Sequence, residues 1–154
     1  MPRIDLDTIP QTNATGYPEP FAAEVQERWY RRLAPAGGLS QFGASHVVLK
    51  PGAWSSQRHW HDGEDEMIVM LSGQAVLVED TGVTTVKAGD ICIWPKGTGN
   101  GHHLRNESDT DCVFVAVSAG PCAGGGYSDI DMLFTPDNRY TTRAGQEYGV
   151  NRAR

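Results

Sequence analysis

Four of the five histidines in this 154-residue chain fall in two close pairs. The first, His59-Trp60-His61, is followed by Asp62, Glu64, Asp65 and Glu66; the second is His102-His103. On a β-strand, residues two apart face the same side. His59 and His61 can therefore aim two imidazoles at one point, with Trp60 turned away. Imidazole nitrogens joined by a carboxylate suit iron, manganese, nickel, copper or zinc. Glu66 begins the apolar run Met67 to Leu71 and so opens the next strand. The loop Asp62 to Asp65 then folds it back beside the pair, and those loop carboxylates are read as a solvated surface. A later strand carrying His102 or His103 supplies a third imidazole. His46 stands alone on the face of Phe42 and Val48. It is read as an ordinary strand histidine near a cavity, not as a ligand.

Short strands must position these groups. Phe42, Ala44, His46 and Val48 alternate with smaller or polar residues, the two-residue period of a strand. Met67 to Leu71, Ala75 to Val78, Val83 to Val86, Ile91 to Trp94 and Val113 to Val117 are further short apolar runs. Turn residues such as Ser72-Gly73, Asp80-Thr81-Gly82 and Ala88-Gly89-Asp90 separate them. Strands this closely spaced predict an antiparallel sandwich or barrel. Before them, residues 1 to 20 hold four of the nine prolines and read as an irregular arm. Phe21, Val25, Trp29 and Leu33 recur every four residues, which predicts a helix over 21–33 with Arg28, Arg31 and Arg32 on its solvated side. After Gly120 the pattern changes: Gly124-Gly125-Gly126 reads as a flexible joint. The last thirty residues read as an outer wrapping that ends in a basic stretch (Arg143, Arg152, Arg154). The expected organisation is an arm or short helix over 1–38, a barrel over 39–120 and a packing tail over 121–154.

Composition narrows the partners. Hydrophobic residues make up 39% and charged residues 21%, with a formal net charge of −6, which is globular and not disordered. An acidic chain without clustered Lys and Arg is a poor partner for a nucleic-acid backbone. No run approaches the roughly 18 apolar residues of a membrane span, and Met1 to Pro10 lacks the apolar block of a secretory signal. Cys92, Cys112 and Cys122 have no C-x-x-C spacing and read as reduced thiols of a cytoplasmic protein.

Residues 52–73, GAWSSQRHWHDGEDEMIVMLSG, and 89–106, GDICIWPKGTGNGHHLRN, resemble the two signature motifs of the cupin superfamily. Gly52, His59, His61, Glu66 and Gly73 occupy the first; Gly89, Pro95, Gly97, His102 and Asn106 occupy the second. The gap from Gly52 to His59 is one residue longer than usual and that from Gly97 to His102 is two longer, which enlarges loops without removing a ligand. The three-residue step to Asn106 selects His102 over His103. Beyond the motifs, GLSQFGASHVVLKPG, YSDIDMLF and RYTTRAGQEY extend the resemblance over roughly residues 37–148, to small bacterial single-domain cupins. Some of these are candidate sugar-phosphate isomerases, a label that rests on fold analogy.

The resemblance implies an all-β fold, a double-stranded β-helix or jelly-roll barrel with its metal inside. It implies one divalent transition metal (Fe, Mn, Ni, Zn or Cu) on His59, His61, Glu66 and His102. Three imidazoles and one carboxylate would leave such an ion net positive, which favours a small anionic or oxygen-rich molecule. The expected function is a small metal-dependent enzyme, isomerase-like or dioxygenase-like. The alternative is a non-catalytic metal-containing binding or sensor protein. Tyr127 and Tyr140 are candidate acids if the tail covers the barrel mouth; Gln57 is expected to face inward; Arg58 and Arg105 are expected to face solvent. Trp54, Trp60 and Trp94 read as packing residues. Ile9, Tyr17, Phe21 and Trp29 are more apolar surface than so small a barrel buries alone, so a homodimer that swaps the arm is expected.

Overall fold

The computed structural model describes residues 3–149; Met1, Arg152 and Arg154 lie outside them. In chain order the strands are β1 (Arg28–Arg32), β2 (Gly43–Leu49), β3 (His59–His61), β4 (Asp65–Ser72), β5 (Gln74–Glu79), β6 (Gly82–Lys87) and β7 (Ile91–Trp94). They continue with β8 (His103–Arg105), β9 (Cys112–Ala119), β10 (Gly125–Tyr127), β11 (Leu133–Phe134), β12 (Tyr140–Thr141) and β13 (Glu147–Gly149). Helix is confined, among the described residues, to two three-residue 3-10 turns and the four-residue α1 (Leu33–Ala36). The expected all-β architecture is therefore what the chain forms.

Three antiparallel sheets make up the molecule. The largest has the order β1-β2-β9-β4-β7, a smaller one the order β6-β5-β8, and the third the order β13-β12-β11-β10-β3. Every strand run expected between residues 42 and 117 falls in β2, β4, β5, β6, β7 or β9, except that Phe42 lies just before β2. The core is the inner face of the first two sheets, with Leu49, Met70, Leu77, Val86, Leu104 and Phe114 buried together. Each such side chain contributes about 1.5–3 kcal/mol by leaving water.

Register decides what else faces inward. Leu49, Val47 and Ser45 pair with Arg28, Tyr30 and Arg32 on one side. On the other they pair with Cys112, Phe114 and Ala116, which pair in turn with β4. Because side chains alternate across a strand, Arg28, Tyr30 and Arg32 share the inner face with Phe114 and Glu66. His46 has the opposite phase. It pairs with Arg31 and Val115 on the outer face, so its place near the cavity is corrected.

The helix expected over 21–33 does not form. Ala23–Val25 is a 3-10 turn, and Arg28–Arg32 is the edge strand β1. A thirteen-residue amphipathic helix is marginal without tertiary support. The aromatic pair Trp29-Tyr30 suits a strand, and five register pairs with β2 fix it there. The arm packs on its own barrel: Ile9 is buried, and Thr12 pairs with Tyr30. Gly124-Gly125-Gly126 is no flexible joint either. Gly125 and Gly126 are buried in β10, against His61 and Trp60 of β3. A Cβ on Gly126 would lie 2.5 Å from the Trp60 indole, and one on Gly125 would lie 2.5 Å from the Phe134 ring. These glycines permit close approach, a use of the residue that leaves the chain fixed.

Candidate metal centre

The strand β3 is only three residues long, yet both its edges are held. Its residues pair with Gly125, Gly126 and Tyr127, and His59 also bridges to His102. This short ribbon turns His59 and His61 to one side and Trp60 to the other, as the spacing requires. The Nε2 atoms of His59 and His61 are 3.1 Å apart. Glu66, at the start of β4, places Oε1 3.4 Å from His61 Nε2 and Oε2 2.8 Å from His102 Nε2. Ligand atoms of His59, His61 and Glu66 all lie within 4.8 Å of one another. The structure thus brings His59, His61 and Glu66 to one point, with His102 joined to them through Glu66.

The two histidines of the second pair part company. His102 turns to Glu66, and its ring stacks on Trp94 at 3.9 Å with an interplanar angle of 4°. His103 turns the other way: its Nδ1 lies 2.9 Å from the Ser56 carbonyl and its ring packs edge-on against Trp54. Trp94 is itself fixed, since its Nε1 donates to Glu79 Oε1 at 2.9 Å.

The surroundings set the protonation states. His59 Nδ1 is 2.9 Å from the Gln57 carbonyl, which can only accept. The ring proton therefore sits on Nδ1, and Nε2 presents its lone pair to the cluster. Burial pushes His59 down to about 3, with the neighbouring imidazoles adding to the effect and Glu66 opposing it. His61 behaves differently. Burial opposes its charge, but Glu64 and Glu66 outweigh that and raise it to about 10. Burial likewise works against the Glu66 carboxylate, but His102 and His61 hold it well below the usual carboxylate range.

Glu64 was missed. The sequence reading left it in a solvated loop, but its Oε2 lies 3.3 Å from His61 Nδ1. A carboxylate behind a ligating imidazole raises the basicity of that ring. The available signal was its position three residues after His61. Gln57 differs from expectation too: its side chain donates to the Phe21 carbonyl and Glu24, while its backbone carbonyl serves His59. Arg58 does not face solvent freely. It donates to Asp129 at 2.9 and 2.7 Å and pairs with Asp80, tying β3 to the tail. Arg105 pairs with Glu107 and lies over Trp54.

The donor set fits a divalent transition ion. Two imidazole nitrogens and a carboxylate converge, a third imidazole adjoins that carboxylate, one lone pair is preset by a backbone carbonyl, and an acid stands behind a second ring. His102 Nδ1 is buried without a hydrogen-bond partner, so that ring is oriented from its other side by Glu66 and by stacking on Trp94. The four side chains open on a cavity of about 430 Å³. The arm and tail cover its mouth. Tyr17 and Tyr140 line it, and Tyr127 packs against both, with ring centroids 5.7 and 6.3 Å away. Burial, reinforced by Tyr140, pushes the Tyr17 phenol up to about 12.

A cupin-domain family profile matches residues 45–118. The crystal structure of a sugar phosphate isomerase from the cupin superfamily of Silicibacter pomeroyi is 37% identical, with a TM-score of 0.89 over 94% of this chain and 95% of that one. A cupin 2 conserved barrel domain protein from Salinispora arenicola is 29% identical, with a TM-score of 0.53 over 60% of this chain and 75% of the other. The oxalate-binding protein of Thermotoga maritima is 36% identical over 73 residues, 47% of this chain, and the chain spans 58% of that relative's length.

Proposed function

The chain belongs to the cupin superfamily, and from that premise we propose that His59, His61, Glu66 and His102 hold one divalent transition metal. With it the protein catalyses an isomerase-type proton transfer on a small oxygen-rich anion. The carrying observation is the convergence of His59 and His61 Nε2, 3.1 Å apart, with Glu66 bridging to His102. Two imidazole lone pairs and a carboxylate this close repel unless a cation or a proton stands between them.

A divalent ion would supply Lewis-acid polarisation of a substrate carbonyl or enediolate oxygen. The chain's own groups do the rest. The Gln57 carbonyl fixes the proton of His59 on Nδ1, and the Glu64 carboxylate stands 3.3 Å from His61 Nδ1, where its charge favours a protonated ring. Tyr17 stays protonated at neutral pH, since burial raises its phenol to about 12. It can therefore donate to an oxygen on which charge develops. Trp94 and the tail pack on the site from two sides, and partial burial strengthens these interactions.

The isomerase reading is favoured over dioxygenase chemistry by the Silicibacter pomeroyi relative, similar over nearly the whole of both chains. A binding role without turnover is the second reading, and the oxalate-binding relative favours it over residues shared with the barrel. Elemental analysis of purified or reconstituted protein is expected to find about one transition metal per chain. The loaded protein is then incubated in D2O with small hydroxyaldehydes and hydroxyketones. Exchange of the carbon-bound hydrogen, followed by NMR, is the expected result. Oxygen uptake without exchange would replace the reading by a dioxygenase, and ligand binding with neither would replace it by a binding protein.

A further inference from the structure

The cavity that holds the histidine cluster has a second, cationic end. Arg28 and Arg32 line it, at the edge strand β1. Glu66 lies on β4, three strands across the same inner face. Along the strands Arg28 is level with Leu49 and Cys112 whereas Glu66 is level with Ser118, so the short link runs across the barrel: Arg28 Nη1 meets the Ser55 carbonyl, and the next residue, Ser56, places Oγ 3.2 Å from His59 Nδ1.

Arg28 is poorly compensated for its position. Nη1 donates to the Ser55 carbonyl at 2.7 Å, and the guanidinium carbon lies 5.4 Å over the Tyr30 ring. Nε is buried and has no hydrogen-bond partner. Among the described residues no carboxylate pairs with Arg28, whereas Arg58, Arg105, Arg139 and Arg143 all have acidic partners. A half-buried guanidinium without a counter-charge, lining a cavity, has donors to spare for an anion. Arg32 adds a second positive charge at the exposed end of the same strand face.

We propose that Arg28 is the recognition residue for a second anionic group on the substrate, a phosphate monoester or a carboxylate. The other end of that molecule reaches the histidine cluster. The substrate class is then a small hydroxy-acid or hydroxy-carbonyl compound charged at both ends, and a neutral diketone or catechol is excluded. The proposal rests on the reading of the cluster as a metal site for its far end only. Arg28 is a binding residue whatever occupies the histidines.

The test compares a singly charged carboxylate with the same carboxylate carrying a phosphate ester on its hydroxyl. Phosphoglycolate and glycolate are titrated calorimetrically into zinc-loaded and metal-free protein. Phosphoglycolate is expected to bind at least about tenfold more tightly, the worth of one charge-assisted hydrogen-bonding group. Arg28→Gln should reduce phosphoglycolate to the affinity of glycolate, while leaving glycolate affinity and zinc content as they were. Arg28→Lys, which keeps the charge and loses the fork, should retain part of the preference and controls for misfolding. Equal affinities in the wild type, or a preference that survives Arg28→Gln, would overturn the proposal. Failure to bind zinc would remove the metal reading instead, and the ratio of the two ligands on metal-free protein would still decide the role of Arg28.

Discussion

The histidine cavity has two walls built on opposite rules. One is the five-stranded sheet, where Phe114, Ile68 and Val47 alternate with outward residues and interlock at the core. The other hangs on β3, where the tail docks through Gly125 and Gly126 and caps the mouth with Tyr127, Phe134 and Tyr140. The first wall is held by buried area, which is large and non-directional. The second is held by close backbone approach and ring contacts, and it touches the ligands directly: Phe134 lies 5.1 Å from the His61 ring and Tyr127 5.8 Å from His59. The barrel wall therefore governs whether the chain folds, and the tail wall governs how the site is shaped.

The largest effect should come from the barrel wall. Phe114→Ala leaves a cavity under β9 and is expected to cost about 3–5 kcal/mol of global stability, read by urea unfolding. A loss confined to the tail would break the comparison. Gly125→Ala strikes the other wall. The added methyl meets the Trp60 carbonyl and the Phe134 ring, and overpacking of this kind costs about 1–3 kcal/mol. Its signature should be local: faster amide hydrogen exchange in β10 to β12, with β2, β4 and β9 unchanged. Uniform acceleration would show that both walls belong to one cooperative unit.

Between the walls, His61 offers a pH test. Its folded value in the metal-free protein is raised to about 10, with Glu64 and Glu66 overcoming burial. The stability it contributes is complete below the unfolded histidine value of about 6.5 and is lost as pH rises through about 10. A metal ion bound there would take the place of the Nε2 proton. Metal uptake at pH 8 is therefore expected to release about one proton per chain, visible as a dependence of calorimetric heats on buffer ionisation enthalpy. Uptake without proton release would mean that His61 is neutral before the metal arrives, and that Glu64 does not act on it.

The same division explains what the sequence made legible. Alternation marked β2, β4, β5, β6, β7 and β9, because half-buried strands of a barrel have a period that any reader can count. The spacing of His59, His61 and Glu66 marked two imidazoles and a carboxylate, and the resemblance of the second motif chose His102 over His103. The tail was opaque for a physical reason. The strands β10 to β12 are two or three residues long, too short to show a period, and their glycines carry the usual sign of a loop. The indole of Trp60 makes Gly126 obligatory and the Phe134 ring and Trp60 carbonyl do so for Gly125, and the contact from Trp60 to Gly126 spans 66 positions of sequence. The strand β1 was misread because Phe21, Val25, Trp29 and Leu33 satisfy a helical period while Arg28, Tyr30 and Arg32 satisfy a strand period, and pairing with β2 decides between them. That misreading also hid the inward turn of Arg28. Glu64 was hidden by the bland look of an acidic loop.

The smallest expected effect sits where arm and tail meet. Tyr17 comes from the arm, yet its ring packs on Tyr127 and Tyr140 of the tail, with centroids 5.7 and 5.8 Å away, and it lines the cavity. Tyr17→Phe keeps the ring and removes one hydroxyl. Packing and metal content should therefore hold, and unfolding should shift by no more than about 1 kcal/mol. If the phenol donates to a developing oxyanion, the rate of carbon-bound hydrogen exchange should fall about tenfold at saturating substrate, with KM little changed. A loss seen only in KM would make Tyr17 a ground-state contact. No loss at all would assign the hydroxyl to the tyrosine cluster alone, leaving the tail wall to shape the site without taking part in its chemistry.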